Sequence, residues 1–188
     1  MTRTASTMIP LGSSAPDFTL TDPLTRQNVG LKIEPPPPAT VIMFICNHCP
    51  FVKHIIPSVV AFADEFQARG ARFIAINSND ISQFPEDAPD KMARFASHHQ
   101  FNFPYLFDET QETAKEYQAV CTPDFFVFDA QYRCVYRGRY DASRPDNKVE
   151  VTGQNLRIAL ENTLTGGPIA PEQRPSLGCN IKWKRVSV

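Results

Sequence analysis

The feature that most constrains this chain is Cys46-Asn47-His48-Cys49-Pro50, set between two segments of opposite periodicity. Before it, Thr40 to Ile45 is apolar after its first residue and rich in β-branched side chains, as expected of a central strand covered on both faces. After it, Phe51, Ile55, Val59, Phe62 and Phe66 recur at helical spacing, and Gly70 closes the segment. Pro57 interrupts that helix and is expected to kink it. Ala71 to Ile76 reads as the next strand, so residues 40–76 form a βαβ unit with a right-handed crossover. The two cysteines therefore sit at a strand-to-helix turn. Residues three apart in such a turn lie on one helix face, close enough to form a disulfide.

The rest of the chain continues in the α/β class. Asp17 to Thr21 alternates polar and apolar residues, the mark of a half-buried strand that Asn28 to Ile33 can pair with. Pro35 to Pro38 is a stiff connector that cannot join a ladder. Helices are expected over residues 89–99, 111–119 and 151–163, with a short strand over 103–107. The strands at 125–128 and 134–137 are joined by a short turn, which implies a hairpin and a mixed sheet. Beyond Gly166-Gly167, residues 168–188 form a tail carrying Cys179 and Trp183. It is expected to pack back through Leu177, Ile181 and Trp183. Residues 1–188 together read as one domain.

Composition narrows the chemistry. Five cysteines in 188 residues are odd in number and sparse, which excludes a secreted disulfide scaffold. A net charge of −1 without a basic stripe argues against nucleic acid as a partner. The longest apolar run, Val41 to Cys46, is too short for a bilayer, so no membrane partner is expected. Met1 to Ser14 lacks the apolar stretch of a secretory signal, and the expected location is the cytoplasm. In a reducing cytosol a close cysteine pair points to redox or metal chemistry.

A thiol at a helix N-terminus faces unpaired amides and the positive end of the dipole, and both favour thiolate. In such motifs the thiol pKa falls from about 8.5 to about 3.5–7.5. Cys46 is expected to be the attacking, more exposed sulfur, and Cys49, one turn inside the helix, the resolving one. His48 can offer the Cys46 thiolate a hydrogen bond or positive charge. That stabilises the reduced form, makes the disulfide the stronger oxidant, and sets a potential less negative than about −270 mV. As a metal site the motif is half of a zinc centre, and Cys121, Cys134 and Cys179 bring no second ligand at zinc spacing. With help from His48 and His54, copper(I) or zinc is the reading ranked below redox chemistry. No cofactor is implied.

Several segments resemble a known family. Gly12 to Leu20 resembles the opening of the alkyl hydroperoxide reductase/thiol-specific antioxidant group, the redoxins, and Phe44 to Val52 resembles a peroxiredoxin-like branch of thioredoxin-fold proteins. The similarity continues through Ala75 to Asp80, Cys121 to Phe126, Arg137 to Asp141 and Gly178 to Lys184, nearly the whole chain. It implies a thioredoxin-like, three-layer α/β/α fold with a central mixed sheet and an N-terminal strand extension. The implied activity is thiol–disulfide oxidoreduction through Cys46 and Cys49. A thiol peroxidase is the alternative, with metal binding third. The implied partners are a protein or small-molecule thiol or disulfide, or a peroxide, and an upstream thiol reductant.

The resemblance also assigns positions. Thioredoxin-like proteins set a cis-proline opposite the dithiol, and Thr122-Pro123 falls in that place, offering backbone to a substrate. Ile45 stands where thioredoxins have Trp, and Thr40 where they bury an Asp, so Asp80 or Glu65 is a candidate replacement proton acceptor. The peroxiredoxin pattern Thr-x-x-Cys would put Cys46 at the Thr and make Cys49 the reactive sulfur, with Arg137 or Arg139 supplying positive charge. Cys121 and Cys179 are either auxiliary thiols or small buried hydrophobes, and Cys134 is structural. Asn47, Asp80, Cys121, Arg139 and Cys179 make up the auxiliary candidates.

Overall fold

The computed structural model describes residues 3–185. The outermost residues of the expected 1–188 domain, including the last three of the tail, lie outside the described residues. In chain order the strands are β1 (Arg3–Ala5), β2 (Thr19–Thr21), β3 (Asn28–Gly30), β4 (Ala39–Phe44), β5 (Ala71–Asn77), β6 (Tyr105–Phe107), β7 (Cys121–Thr122), β8 (Asp124–Asp129), β9 (Cys134–Gly138) and β10 (Leu177–Asn180). The helices are α1 (Pro50–Gln67), α2 (Pro89–His98), α3 (Glu112–Glu116) and α4 (Gln154–Thr165), with a 3₁₀ turn at Pro85–Asp87.

Every residue of β4 is buried, as its unbroken apolar run requires. β4 lies parallel to β5 and antiparallel to β8 at the centre of a mixed sheet ordered β3-β2-β6-β5-β4-β8-β9. β8 and β9 form the expected antiparallel hairpin, with a register shift between Val127 and Phe128. Alternate residues of β4 face opposite ways. Val41 and Met43 join a core with α1, α2 and α4, which contribute side chains such as Ile56, Met92 and Leu156. Ile42 and Phe44 join a second core with Leu31, Ala114 and Tyr117, so α3 covers the other face. The thioredoxin-like three-layer arrangement follows directly from that division of the strand's side chains. Among the described residues, no helix is long and apolar enough to cross a membrane.

A second, three-stranded sheet, β1-β10-β7, has no counterpart in the sequence reading of β1, β7 or β10. It brings the tail onto the functional end of the molecule, because Cys179 of β10 pairs with Thr122 of β7. Ile181 is buried and Leu177 half-buried, but Trp183 is 37% exposed. Of the three residues expected to pack the tail back, Ile181 enters the second core, Leu177 is half-buried and Trp183 contributes least.

Candidate redox site

α1 begins at Pro50, with Cys49 as its N-cap in extended conformation (φ −67°, ψ 121°). Proline suits the first helical position because its missing N–H would be unpaired there anyway. Cys49 thus stands at the N-cap, though its sulfur makes no side-chain capping hydrogen bond. The expectation that Cys49 lies one turn inside the helix, with Cys46 at its N-terminus, is corrected. So is the expected difference in exposure: Cys46 is 1% and Cys49 0% exposed.

The Thr122–Pro123 peptide is cis, as the resemblance implies, and Thr122 touches both sulfurs. Its hydroxyl is 3.3 Å from Cys46 Sγ, and its carbonyl accepts from the Cys49 thiol at 3.2 Å. The two thiols differ in which form their surroundings favour. Burial pushes Cys46 well above the usual thiol range, and its hydrogen bond to Cys49 and the negative charge of Asp87 add to the effect. Hydrogen bonds from the Cys179 and Cys46 thiols draw Cys49 down to about 2, and the Val52 amide pulls the same way against burial.

His48 does not reach toward Cys46 as its principal partner. Its Nδ1 is 2.6 Å from Asp87 Oδ2, and its ring stacks on Phe84 at a centroid distance of 5.2 Å. The side chain is only 13% exposed, and Nε2 is buried without a hydrogen-bond partner among the described residues. The Asp87 hydrogen bond raises the His48 pKa, against the opposing effect of burial. Burial alone would raise Asp87, but hydrogen bonds from His48 and Asn79 override it and hold the carboxyl below its ordinary value. Asp87 also accepts the Asn47 backbone N–H at 2.7 Å and Asn79 Nδ2 at 2.7 Å. Protein donors therefore replace its water.

Asn47 is part of this frame. Its amide donates to the Glu86 carbonyl at 2.8 Å, and Tyr105 donates to its Oδ1 at 3.0 Å. The tail braces the frame from outside: Lys182 N–H donates to Asn79 Oδ1 at 2.8 Å, and Lys182 carbonyl accepts from Asp80 N–H at 2.8 Å.

Neither proposed replacement for the buried thioredoxin Asp is at the dithiol. Asp80 accepts hydrogen bonds from Ser82 and Gln83, and Glu65 forms an ion pair with Arg157. Asp87, which sequence reasoning missed, is the carboxylate that meets the motif. It comes from the 3₁₀ turn, 39 positions beyond His48, and no local pattern announces that contact. Thr40 is buried and adds no carboxylate.

The other candidates divide by location. Arg137 is fully buried 3.2 Å from Asp124, and its charge acts on the Cys121 and Cys134 thiols. Arg139 donates through Nε to Asn155 and lines a cavity of about 330 Å³ with Phe51, Pro123, Tyr140, Arg144 and Arg174. Cys121 is buried in β7, and burial raises its thiol far above the ordinary value. Cys134 belongs to the second core and is pushed up to about 11 by burial. Cys179, by contrast, shares the first core with Cys46 and Cys49. His54 is 2.6 Å from Ser143 Oγ and is not among the groups gathered at the dithiol. Donor atoms of Cys46, His48 and Asp87 lie within 4.8 Å of one another, but His48 and Asp87 already hold each other through a hydrogen bond.

Residues 11–137 match the AhpC/TSA family. An uncharacterized conserved protein from Geobacillus kaustophilus is 50% identical with a TM-score of 0.96, over 100% of this chain and 99% of that one. A hypothetical protein from Sinorhizobium meliloti 1021 is 41% identical with a TM-score of 0.93, over 96% and 98%. The thioredoxin domain of a thiol-disulfide oxidoreductase from Bacteroides vulgatus has a TM-score of 0.61 at 15% identity, over 85% and 98%, and shares the fold. No curated protein matches.

Proposed function

Because the chain belongs to the AhpC/TSA family, whose redoxin character implies oxidoreductase chemistry on thiols or peroxides, we propose that it is a thiol–disulfide oxidoreductase cycling Cys46 and Cys49 between dithiol and disulfide. The observation that carries this reading is the buried pair itself, with Cys49 at the helix N-cap and Thr122 touching both sulfurs. Cys49 thiolate attacks a substrate disulfide. A bond forms between Cys49 sulfur and one substrate sulfur, and the other substrate sulfur leaves as thiolate and takes a proton. Cys46 then loses its proton and attacks Cys49 sulfur, which releases the second substrate thiolate and leaves a Cys46–Cys49 disulfide. Substrate gains the two electrons that the dithiol gives up, and an upstream thiol reductant returns them.

His48 is the proton carrier. With Asp87 holding the imidazolium, it can protonate the departing thiolate and then accept the proton Cys46 gives up. Substrate enters through the cavity beside Pro123, whose exposed neighbours include Arg144 and Arg174. Stabilising Cys49 as thiolate favours the reduced form, so the disulfide is a comparatively strong oxidant. The oxidising bias expected from His48 is thus proposed to arise chiefly at Cys49.

Oxidised glutathione tests the order of the sulfurs. Cys46→Ser is expected still to react with it, whereas Cys49→Ser is inert; reaction of Cys49→Ser alone contradicts the scheme. A peroxide as first substrate is the second reading: Cys49 falls at the reactive position of the Thr-x-x-Cys pattern, but Cys46 replaces the threonine whose hydroxyl helps hold peroxide, which weighs against it. Stopped-flow peroxide consumption that depends on Cys49 supports it; no consumption rules it out.

A further inference from the structure

Three of the five cysteines gather in one core, and the disulfide scheme uses only two. Cys179 is 2% exposed and packs in the same apolar cluster as Cys46 and Cys49. Its position follows from strand register. β10 pairs with β7 so that Cys179 lies opposite Thr122, the residue whose carbonyl is 3.2 Å from Cys49 Sγ. The approach of β10 is close because Gly178 has no side chain. A Cβ there would stand 2.0 Å from the Thr122 carbonyl oxygen, nearer than atoms can come. β10 consequently brings the Cys179 thiol against Cys49 from one side, and Cys46 meets it from the loop ahead of α1, so that both thiols act on the Cys49 sulfur. Cys121 and Cys134 stand outside this group, in β7 and in the second core.

We propose that Cys179 is a third redox thiol of this site, so that Cys49 is shared between two alternative bridges, Cys46–Cys49 and Cys49–Cys179. The inference rests on the dithiol reading above and extends it. In the exchange, Cys179 loses its proton and its sulfur attacks Cys49 sulfur. The S–S bond between Cys49 and Cys179 forms as that between Cys46 and Cys49 breaks. Cys46 leaves as thiolate and takes up a proton in place of the one Cys179 released. One disulfide is present before and after, so no oxidant is consumed. A substrate held on Cys49 as a mixed disulfide likewise has two thiols able to release it, one on each side.

The test is peptide mapping of disulfides after treatment of the folded full-length protein with diamide and rapid acid quenching. Wild type is expected to carry mainly Cys46–Cys49 with a minor Cys49–Cys179 population. Cys46→Ser is expected to lose two thiols per chain and to carry Cys49–Cys179 as its main bridge. Cys46→Ser/Cys179→Ser is expected to form no internal bridge at Cys49 and to keep the Cys49 thiol. The inference is overturned if folded Cys46→Ser keeps Cys179 fully alkylatable. A Cys46–Cys49 bridge in wild type, with no Cys49–Cys179 in Cys46→Ser, sinks the inference and leaves the dithiol reading standing. Absence of Cys46–Cys49 in wild type sinks the dithiol reading by itself, whatever Cys179 does. Should Cys46→Ser fail to fold, as read by circular dichroism, the minor Cys49–Cys179 population of wild type decides. Its loss in Gly178→Val, which drives β10 away from Thr122, supports the inference, and its absence from wild type overturns it.

Discussion

Two buried carboxylates, Asp87 beside the dithiol and Asp124 one residue past the cis-proline, are both 0% exposed, yet their surroundings act on them in opposite directions. Asp87 accepts from a backbone amide, a side-chain amide and an imidazole, and those donors hold it charged despite burial. Asp124 is 3.2 Å from Arg137, but its Oδ1 and Arg137 Nε and Nη1 have no hydrogen-bond partner among the described residues. Burial pushes Asp124 up to about 7 even though Arg137 opposes it. A buried carboxylate keeps its charge when protein dipoles replace its water; one countercharge with incomplete hydrogen bonding is a poorer substitute. The two pairs also differ in use. His48, whose imidazolium Asp87 favours, can take up and release a proton, while Arg137 stays charged and instead fixes β9 against β8, with its guanidinium 4.7 Å from the Phe126 ring centre.

The largest effect on stability that this contrast implies is at Arg137. Arg137→Met leaves Asp124 buried without its cation and is expected to cost about 3–5 kcal/mol in denaturant unfolding. Arg137→Met/Asp124→Leu recovers most of that loss, and a double variant no more stable than the single one breaks the comparison. Asp87→Asn ranks next. It keeps shape but turns one acceptor into a donor facing donors, for an expected cost of about 1–3 kcal/mol. It also lowers the His48 pKa, which NMR titration of the ring reads directly.

The pH dependences carry opposite signs. The raised Asp124 carboxyl binds its proton more tightly folded than unfolded, so its contribution falls as pH rises from about 4 toward about 7. Asp124→Asn flattens that slope. His48 is raised, so its contribution is complete below about 6.5 and is lost as pH rises through the folded-state value. Asp87 is depressed, and its contribution is present above about 4 and lost as pH falls through its folded-state value. Unfolding midpoints across pH for wild type, Asp124→Asn and His48→Gln separate these contributions. The smallest effect is at Glu65, whose half-exposed pair with Arg157 is screened by solvent. Glu65→Gln is expected to change stability by about 0–1 kcal/mol and to leave thiol alkylation rates unchanged.

What the sequence reveals follows the range of each interaction. The β4–dithiol–α1 unit depends on patterns within a few turns of chain, and it is legible. The helix start within it is misplaced: the sequence reading sets Cys49 one turn inside, although proline at position 50 suits the first helical residue and makes Cys49 the N-cap. Asp87 was not legible, because its contacts join a short 3₁₀ turn to a motif 39 positions earlier. β10 hides for a different reason. It is four residues long and contains Gly178 and Asn180, both poor strand formers, so pairing with β1 and β7 makes it a strand. With β10 unseen, the nearness of Cys179 to Cys49 was unseen as well.

Equilibrium titration of the full-length protein against glutathione buffers, with mapping of each cysteine at every potential, bears most directly on the dithiol. Cys46 and Cys49 are expected to lose their thiols together, with a midpoint less negative than about −270 mV, while Cys121 and Cys134 stay reduced. A midpoint well below that value, or oxidation of Cys49 that proceeds without a second thiol, contradicts it.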